Sequence, residues 1–179
     1  MLKLQGIAVS SGVTIGEALV LDSEGFRIPR RFVARSAVDT ELQRLSNAIA
    51  ESTAEIKKNR DAVREELGEQ YAAIFDAHLA MLHDQRLQEE LTSAVRERNW
   101  WPEYAVSRTL RRYAKVFQKL DNHIAQRAHD IYDIEKSLLR NLLGQRRETL
   151  ASISEPVVIL AHNLTPSETA NLDRRFVKG

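Results

Sequence analysis

The spacing of apolar residues changes twice along this chain, and the changes divide it into three stretches. From residue 4 to residue 21, the short apolar runs Ile7-Ala8-Val9 and Ala18-Leu19-Val20-Leu21 are punctuated by Gly6, Gly12 and Gly16. Runs of that length between glycines predict two short strands rather than a helix. From about Ala37 the period becomes helical. Leu42, Leu45, Ile49, Ile56, Val63 and Leu67 fall at three- and four-residue steps or their multiples, giving one long amphipathic helix that Gly68 ends. Tyr71, Ile74, Phe75, Leu79, Met81 and Leu82 mark a second helix, and Leu87, Leu91 and Val95 a third. Asn99-Trp100-Trp101-Pro102 restarts the chain, and Val106, Leu110, Tyr113, Phe117 and Leu120 form the next stripe. A last stripe, Ile124, Ala128, Ile131, Ile134, Leu138 and Leu142, stops at Gly144. Short connections between such helices imply antiparallel packing.

The second change comes at Pro156-Val157-Val158-Ile159-Leu160-Ala161, which reads as a buried strand. Beyond it Thr165 stands where an N-cap belongs, Pro166 at the first helical position and Glu168 three residues after the cap, a capping box. Unpaired N–H groups and the helix dipole favour an anion at such a helix start. The same box is also a stability device worth about 1 kcal/mol. The two extended flanks each lack the surface for a core, so they belong together, with the helices inserted between them. The expected fold is mainly α: an antiparallel helical bundle inserted into an incomplete α/β domain. Residues 1–33 form the first part of that domain with a linker, 34–147 the helical domain and 148–179 the return.

Composition narrows the function classes. The 179 residues carry a formal net charge of +1, with 28% charged and 43% hydrophobic. That is room for one good core, or for one full domain plus part of another, and a charge balance that argues against a dedicated nucleic-acid binder. The basic stretch from Arg27 to Arg35 contains Pro29 and reads as a solvated linker. Absence of cysteine excludes disulfides, thiolate metal sites and a cysteine nucleophile. No run is long enough to span a membrane, and the first residues break too early for a secretory signal, so a cytoplasmic location is expected. The glycines match neither a Walker loop nor a dinucleotide fingerprint.

Among five histidines, His78 and His83 are off a shared helical face, and none has carboxylates at metal-ligand spacing. No metal site is expected. His78 lies at the apolar stripe of the second helix, as a satisfied half-buried histidine or as part of a partner-binding face with Phe75 and Met81 as anchors. Glu69, Asp76, Asp84, Glu89 and Glu90 stand against a single Arg86 there, a solvated face or an acidic rim suited to a basic partner.

Four stretches in register then carry a family resemblance. They are Gly6-Ile7-Ala8-Val9-Ser10-Ser11-Gly12-Val13-Thr14-Ile15-Gly16-Glu17-Ala18, Ala73-Ile74-Phe75-Asp76-Ala77-His78-Leu79, Ile134-Glu135-Lys136-Ser137-Leu138-Leu139-Arg140-Asn141-Leu142-Leu143-Gly144 and Leu164-Thr165-Pro166-Ser167-Glu168-Thr169-Ala170. Together they resemble the N-terminal part of enzyme I of the bacterial phosphoenolpyruvate:sugar phosphotransferase system. The resemblance implies a phosphotransferase with a histidine acceptor, which passes phosphoryl groups to the phosphocarrier HPr during sugar uptake. It implies that the helical domain docks HPr through Glu69, Phe75, His78, Leu79 and Met81, with Arg127 and Asp130 nearby. Thr165 matches the threonine whose hydroxyl hydrogen-bonds the active-site imidazole. That histidine, in a Gly-Gly-x-x-Ser-His-type turn, lies downstream in the family, so this segment alone is expected to be inactive and to hold no cofactor. Phosphoenolpyruvate, magnesium and the homodimer contact belong to the family's C-terminal barrel. Gln70, Tyr71, Gln85 and Arg86 depart from the family's charged positions, implying a less acidic interface. The alternatives are a stand-alone helical interaction module and the nitrogen-related enzyme I paralogue.

Overall fold

A computed structural model describes residues 12–21, 28–120, 127–144, 155–161, 164–173 and 175–178. Strand β1 (Glu17–Leu21) precedes a 3-10 turn (Arg35–Ala37) and helices α1 (Val38–Leu67), α2 (Glu69–Leu82), α3 (Gln85–Arg96), α4 (Pro102–Phe117) and α5 (Ala128–Leu142). Strand β2 (Val157–Ala161) and the single turn α6 (Pro166–Thr169) follow.

Local chemistry sets the helix boundaries. Gly68 sits at φ +99° and Gly144 at φ +64°, a left-handed region that side chains disfavour, and each stands immediately past a helix or its last turn. The Asp84 carboxylate accepts from the Leu87 amide at 2.8 Å and so caps α3. Asn99 at φ 52° reverses the chain, and Pro102 opens α4 at a position where no amide partner is needed.

Helix α1 packs along both α2 and α5, while α4 lies against α5 and α3. Phe75, Leu82, Leu91, Leu110, Ile134 and Leu138 fill the centre, each all but inaccessible. Burial of one such side chain stabilises by about 1.5–3 kcal/mol, so the amphipathic stripes account for the bundle. Buried polar ties add register: Asn141 donates to Ser52 Oγ at 2.9 Å, and Glu135 accepts from Ser107 Oγ at 2.8 Å and from Arg111 Nε at 2.7 Å. Burial holds the Glu135 carboxyl above its ordinary range, against those donors.

Strands β1 and β2 pair in parallel, Glu17 opposite Val157 through Leu21 opposite Ala161. Parallel neighbours cannot be joined by a hairpin. The crossover here is the whole helical block, which is the insertion expected from the sequence. A further bridge joins Val157 to Val177.

Three expectations need correction. Strand β2 is buried only at Val157, and Leu160 is 47% exposed, because one side of the two described strands carries no cover at that end. Leu120 falls beyond the end of α4 and is exposed. Leu67, the last residue of α1, is also exposed rather than part of the stripe. The Ile7–Val9 strand and Ile124 lie outside the described residues.

Candidate functional site

Helix α2 turns Phe75, His78, Leu79 and Leu82 inward, the i, i+3, i+4, i+7 face that packs on α1 and α5. Phe75 is 2% exposed, and its ring meets the imidazole of His78 edge-on at 5.9 Å. Phe75, expected as an apolar anchor beside Met81, and Leu79, expected to line the same surface, are corrected on this point, since both belong to the core. His78 is buried too, at 1%. Asp130 is likewise inside, whereas Glu69 and Arg127 are exposed and Met81 half-buried. The outward side of α2 is a stripe of Gln70, Ala73, Ile74, Ala77, Ala80 and Met81, exposed or half-buried.

The buried imidazole stands between two carboxylates of α5. His78 Nε2 is 3.4 Å from Asp130 Oδ1, and Nδ1 is 3.8 Å from Asp133 Oδ2. Arg127 approaches Asp130 from solvent at 3.7 Å. Asp133 reaches further, accepting from Ser167 Oγ at 2.8 Å and from the Ser167 amide at 3.2 Å. A chain of contacts therefore runs from α2 through α5 to the first turn of α6.

That turn is fastened at two more points. Lys136 of α5 pairs with Glu168, and Asn171 donates to Asn59 of α1 at 3.3 Å. Within the turn, Thr165 Oγ1 accepts from the Glu168 amide at 3.3 Å, while the Glu168 carboxylate accepts from the Thr165 amide at 2.9 Å. The capping box read from the sequence is thus present. Capping occupies an acceptor lone pair of the Thr165 hydroxyl and leaves its O–H proton available to an outside acceptor.

Burial raises the Glu168 carboxyl, but the hydrogen bonds from Lys136 and the Thr165 amide outweigh it and hold the group below its ordinary value. A carboxyl lowered in the fold stabilises fully above its unfolded value, and loses that contribution as pH falls through the lower folded value. The α6 turn should therefore loosen before the bundle as pH drops below the ordinary glutamate value of about 4.3. Amide exchange at Thr165–Thr169, corrected for intrinsic rates, measures this. Unchanged local protection down to global acid unfolding would contradict it.

Charge on the outer face differs from a count along α2. Arg64 of α1 grips Glu69 with Nε at 2.6 Å and Nη2 at 2.9 Å, and Arg60 donates to Asp76 at 3.2 Å. Two arginines from the neighbouring helix thus offset the acidic rim, which a reading of one helix at a time cannot register.

Sequence reasoning did not single out Asp133, Ser167, Lys136 or Asn59. One signal was available: Asp130 and Asp133 flank Ile131 and Ile134 on the buried stripe of α5, where an acid calls for a partner. Among the described residues there is no group of three or more His, Cys, Asp or Glu side chains placed to hold a metal ion. No described helix is long and apolar enough to cross a membrane.

Residues 5–127 match the family described as PEP-utilising enzyme, N-terminal. The phosphoenolpyruvate-protein phosphotransferase of Priestia megaterium is 38% identical over 178 residues, covering 99% of this chain and 31% of that protein. The protein of the same name from Bacillus subtilis is 35% identical over 180 residues, again covering 31% of its length. The chain thus spans about a third of the curated relatives it matches. An NMR solution structure of enzyme I (nEIt) superposes with a TM-score of 0.75 at 29% identity, covering 90% of this chain and 66% of that one. An N-terminal domain of Enzyme 1 - Nitrogen has a TM-score of 0.70 at 24% identity, covering 92% and 67%, and supports the fold alone.

Proposed function

The chain belongs to the family of PEP-utilising enzyme N-terminal domains, and from that premise we propose that it is the HPr-docking part of an enzyme I, with its Thr165 turn set beside the phosphorylated imidazole. The observation that carries this reading is the three-point fastening of the Thr165 turn to the bundle, through Ser167–Asp133, Glu168–Lys136 and Asn171–Asn59. A helix start whose hydroxyl must orient a nucleophile needs a rigid mount. Here the mount is the same pair of helices, α1 and α5, that supports α2.

In histidine-to-histidine transfer, one N–P bond breaks as the other forms, and the protein's part is chiefly positioning. The Thr165 O–H donates to a ring nitrogen of the imidazole, fixing its orientation and tautomer. HPr docks on the outward stripe of α2, with Ile74 and Met81 as apolar contacts and Glu69 and Arg127 at the rim. Phe75, His78, Leu79 and Asp130 act from beneath, by holding α2 against α5. Because Arg60 and Arg64 offset the acids, salt weakens docking less than the acids alone would suggest.

Titration of this chain with HPr, followed by amide shifts, tests the docking half. Shifts should centre on the α2 stripe, and Met81→Ala should weaken binding about tenfold, the loss of a contact worth roughly 1–2 kcal/mol. Thr165→Val should leave HPr binding unchanged and slow phosphoryl transfer in the longer enzyme. Shifts confined to α4, or equal loss of binding and transfer in Thr165→Val, would defeat the proposal.

A further inference from the structure

At the other end of the bundle lies a second surface with its own chemistry. Phe32 pairs with Trp100 in an antiparallel bridge, held by the Val33 amide donating to Asn99 O at 2.7 Å and the Trp101 amide donating to Arg31 O at 3.1 Å. This pins the segment before α1 against the α3–α4 turn and brings two sequence features together, the arginine-rich stretch and the tryptophan pair. Arg30 lies over Phe32 at 5.0 Å, Arg31 over Trp101 at 5.1 Å and Arg98 over Trp100 at 5.1 Å. Along α1, from Arg44 beside this surface to Asn59 beneath the Thr165 turn, the rise is about 22 Å.

We infer that this arginine–aromatic surface docks an acidic segment of another protein. Arg30, Arg31 and Arg98 form no close ion pair among the described residues, Arg98 acting on the Glu90 carboxylate only from a distance, unlike Arg44, which reaches the same Trp101 ring but is engaged by Glu41 and Glu103. A guanidinium held over a ring by the cation–π attraction still has N–H groups to offer an outside acceptor, and the ring reduces the freedom it loses on binding. Its N–H fork matches carboxylates bidentately. Phe32, 59% exposed among them, supplies an apolar contact between the charges. A single-stranded nucleic acid fits less well. Bases need open ring faces to stack on, and one face of each of these rings already carries a guanidinium, leaving fewer platforms in a row. The net charge of +1 also offers little general attraction for a polynucleotide.

Both tryptophans of the chain, Trp100 and Trp101, lie in this surface, so their intrinsic fluorescence reports on it alone. The probe is a ten-residue peptide of aspartate and glutamate interrupted by two leucines, titrated into the whole 179-residue chain. A saturable change in tryptophan emission is expected, weakening with salt. Arg31→Gln with Arg98→Gln should reduce the affinity at least tenfold with circular dichroism unchanged, and lysine at both positions should restore it only in part. Should the double variant unfold, Arg30→Gln alone, with amide-shift mapping of the peptide, gives the same reading. No change in emission, equal affinity in the folded double variant, or tighter binding of a ten-nucleotide oligothymidylate than of the peptide would overturn the inference.

Discussion

Truncation of Phe75 to alanine should destabilise the fold by about 3–5 kcal/mol, the range for removing a large aromatic side chain from a packed core. Its ring is 2% exposed and sits where α2 meets α1 and α5, in edge contact with His78. The loss has two parts: the transfer free energy of the ring, and a cavity that the surrounding helices close only partly. Urea unfolding, with midpoint and slope both fitted, measures the cost. If the chain docks HPr as proposed, any weakening of that binding in this variant should follow the fraction unfolded, and recover at temperatures where the variant is fully folded. A Phe75→Ala protein with native stability and tenfold weaker HPr binding would return Phe75 to the docking surface. Phe75→Leu keeps much of the volume and should cost less than alanine.

A second large effect is expected at Asp133. Alanine there removes the acceptor for two Ser167 donors in a buried setting, each stranded group costing about 1–3 kcal/mol, for a combined loss of about 2–6 kcal/mol. It also takes away one of the two carboxylates flanking His78. The damage should be directional. Exchange at the α6 amides should accelerate by more than exchange at the centre of α4, because α6 is held to α5 through this residue and Lys136. A double-mutant cycle with Ser167→Ala isolates the contact, and the paired variant should cost clearly less than the sum of the two singles. Additive losses would mean that Ser167 and Asp133 do not act together. Asp133→Asn retains one acceptor oxygen and should recover part of the stability, the remainder reporting the charge beside His78.

Much of the architecture was legible because helices and turns depend on near neighbours. The stripe through Leu45, Ile56 and Val63 needs only a 3.6-residue period to declare its buried face. Gly68, Gly144 and the Thr165–Glu168 box mark helix ends through backbone conformation and hydrogen bonds within a few residues. The pairing of flanking strands followed from their being too small to stand alone, and β1 beside β2 bears that reasoning out. The surface was less legible. His78, Phe75 and Leu79 share one helical face, and periodicity alone says that they lie together without saying whether protein or solvent meets them.

Sequence by itself determined the helical block, the glycine stops after two of its helices, the capped turn at Thr165 and the family, since each rests on local spacing or on motifs read in order. Tertiary structure alone decided three things. It showed that α5 covers the Phe75–His78 face of α2, that Asp133 links that face to Ser167, and that Arg60 and Arg64 of α1 take up the acids Asp76 and Glu69. The physical reason is the range of the forces involved. A cap or an amphipathic period is satisfied within one or two turns, whereas burial and charge pairing depend on which distant segment arrives, and no local pattern specifies that arrival.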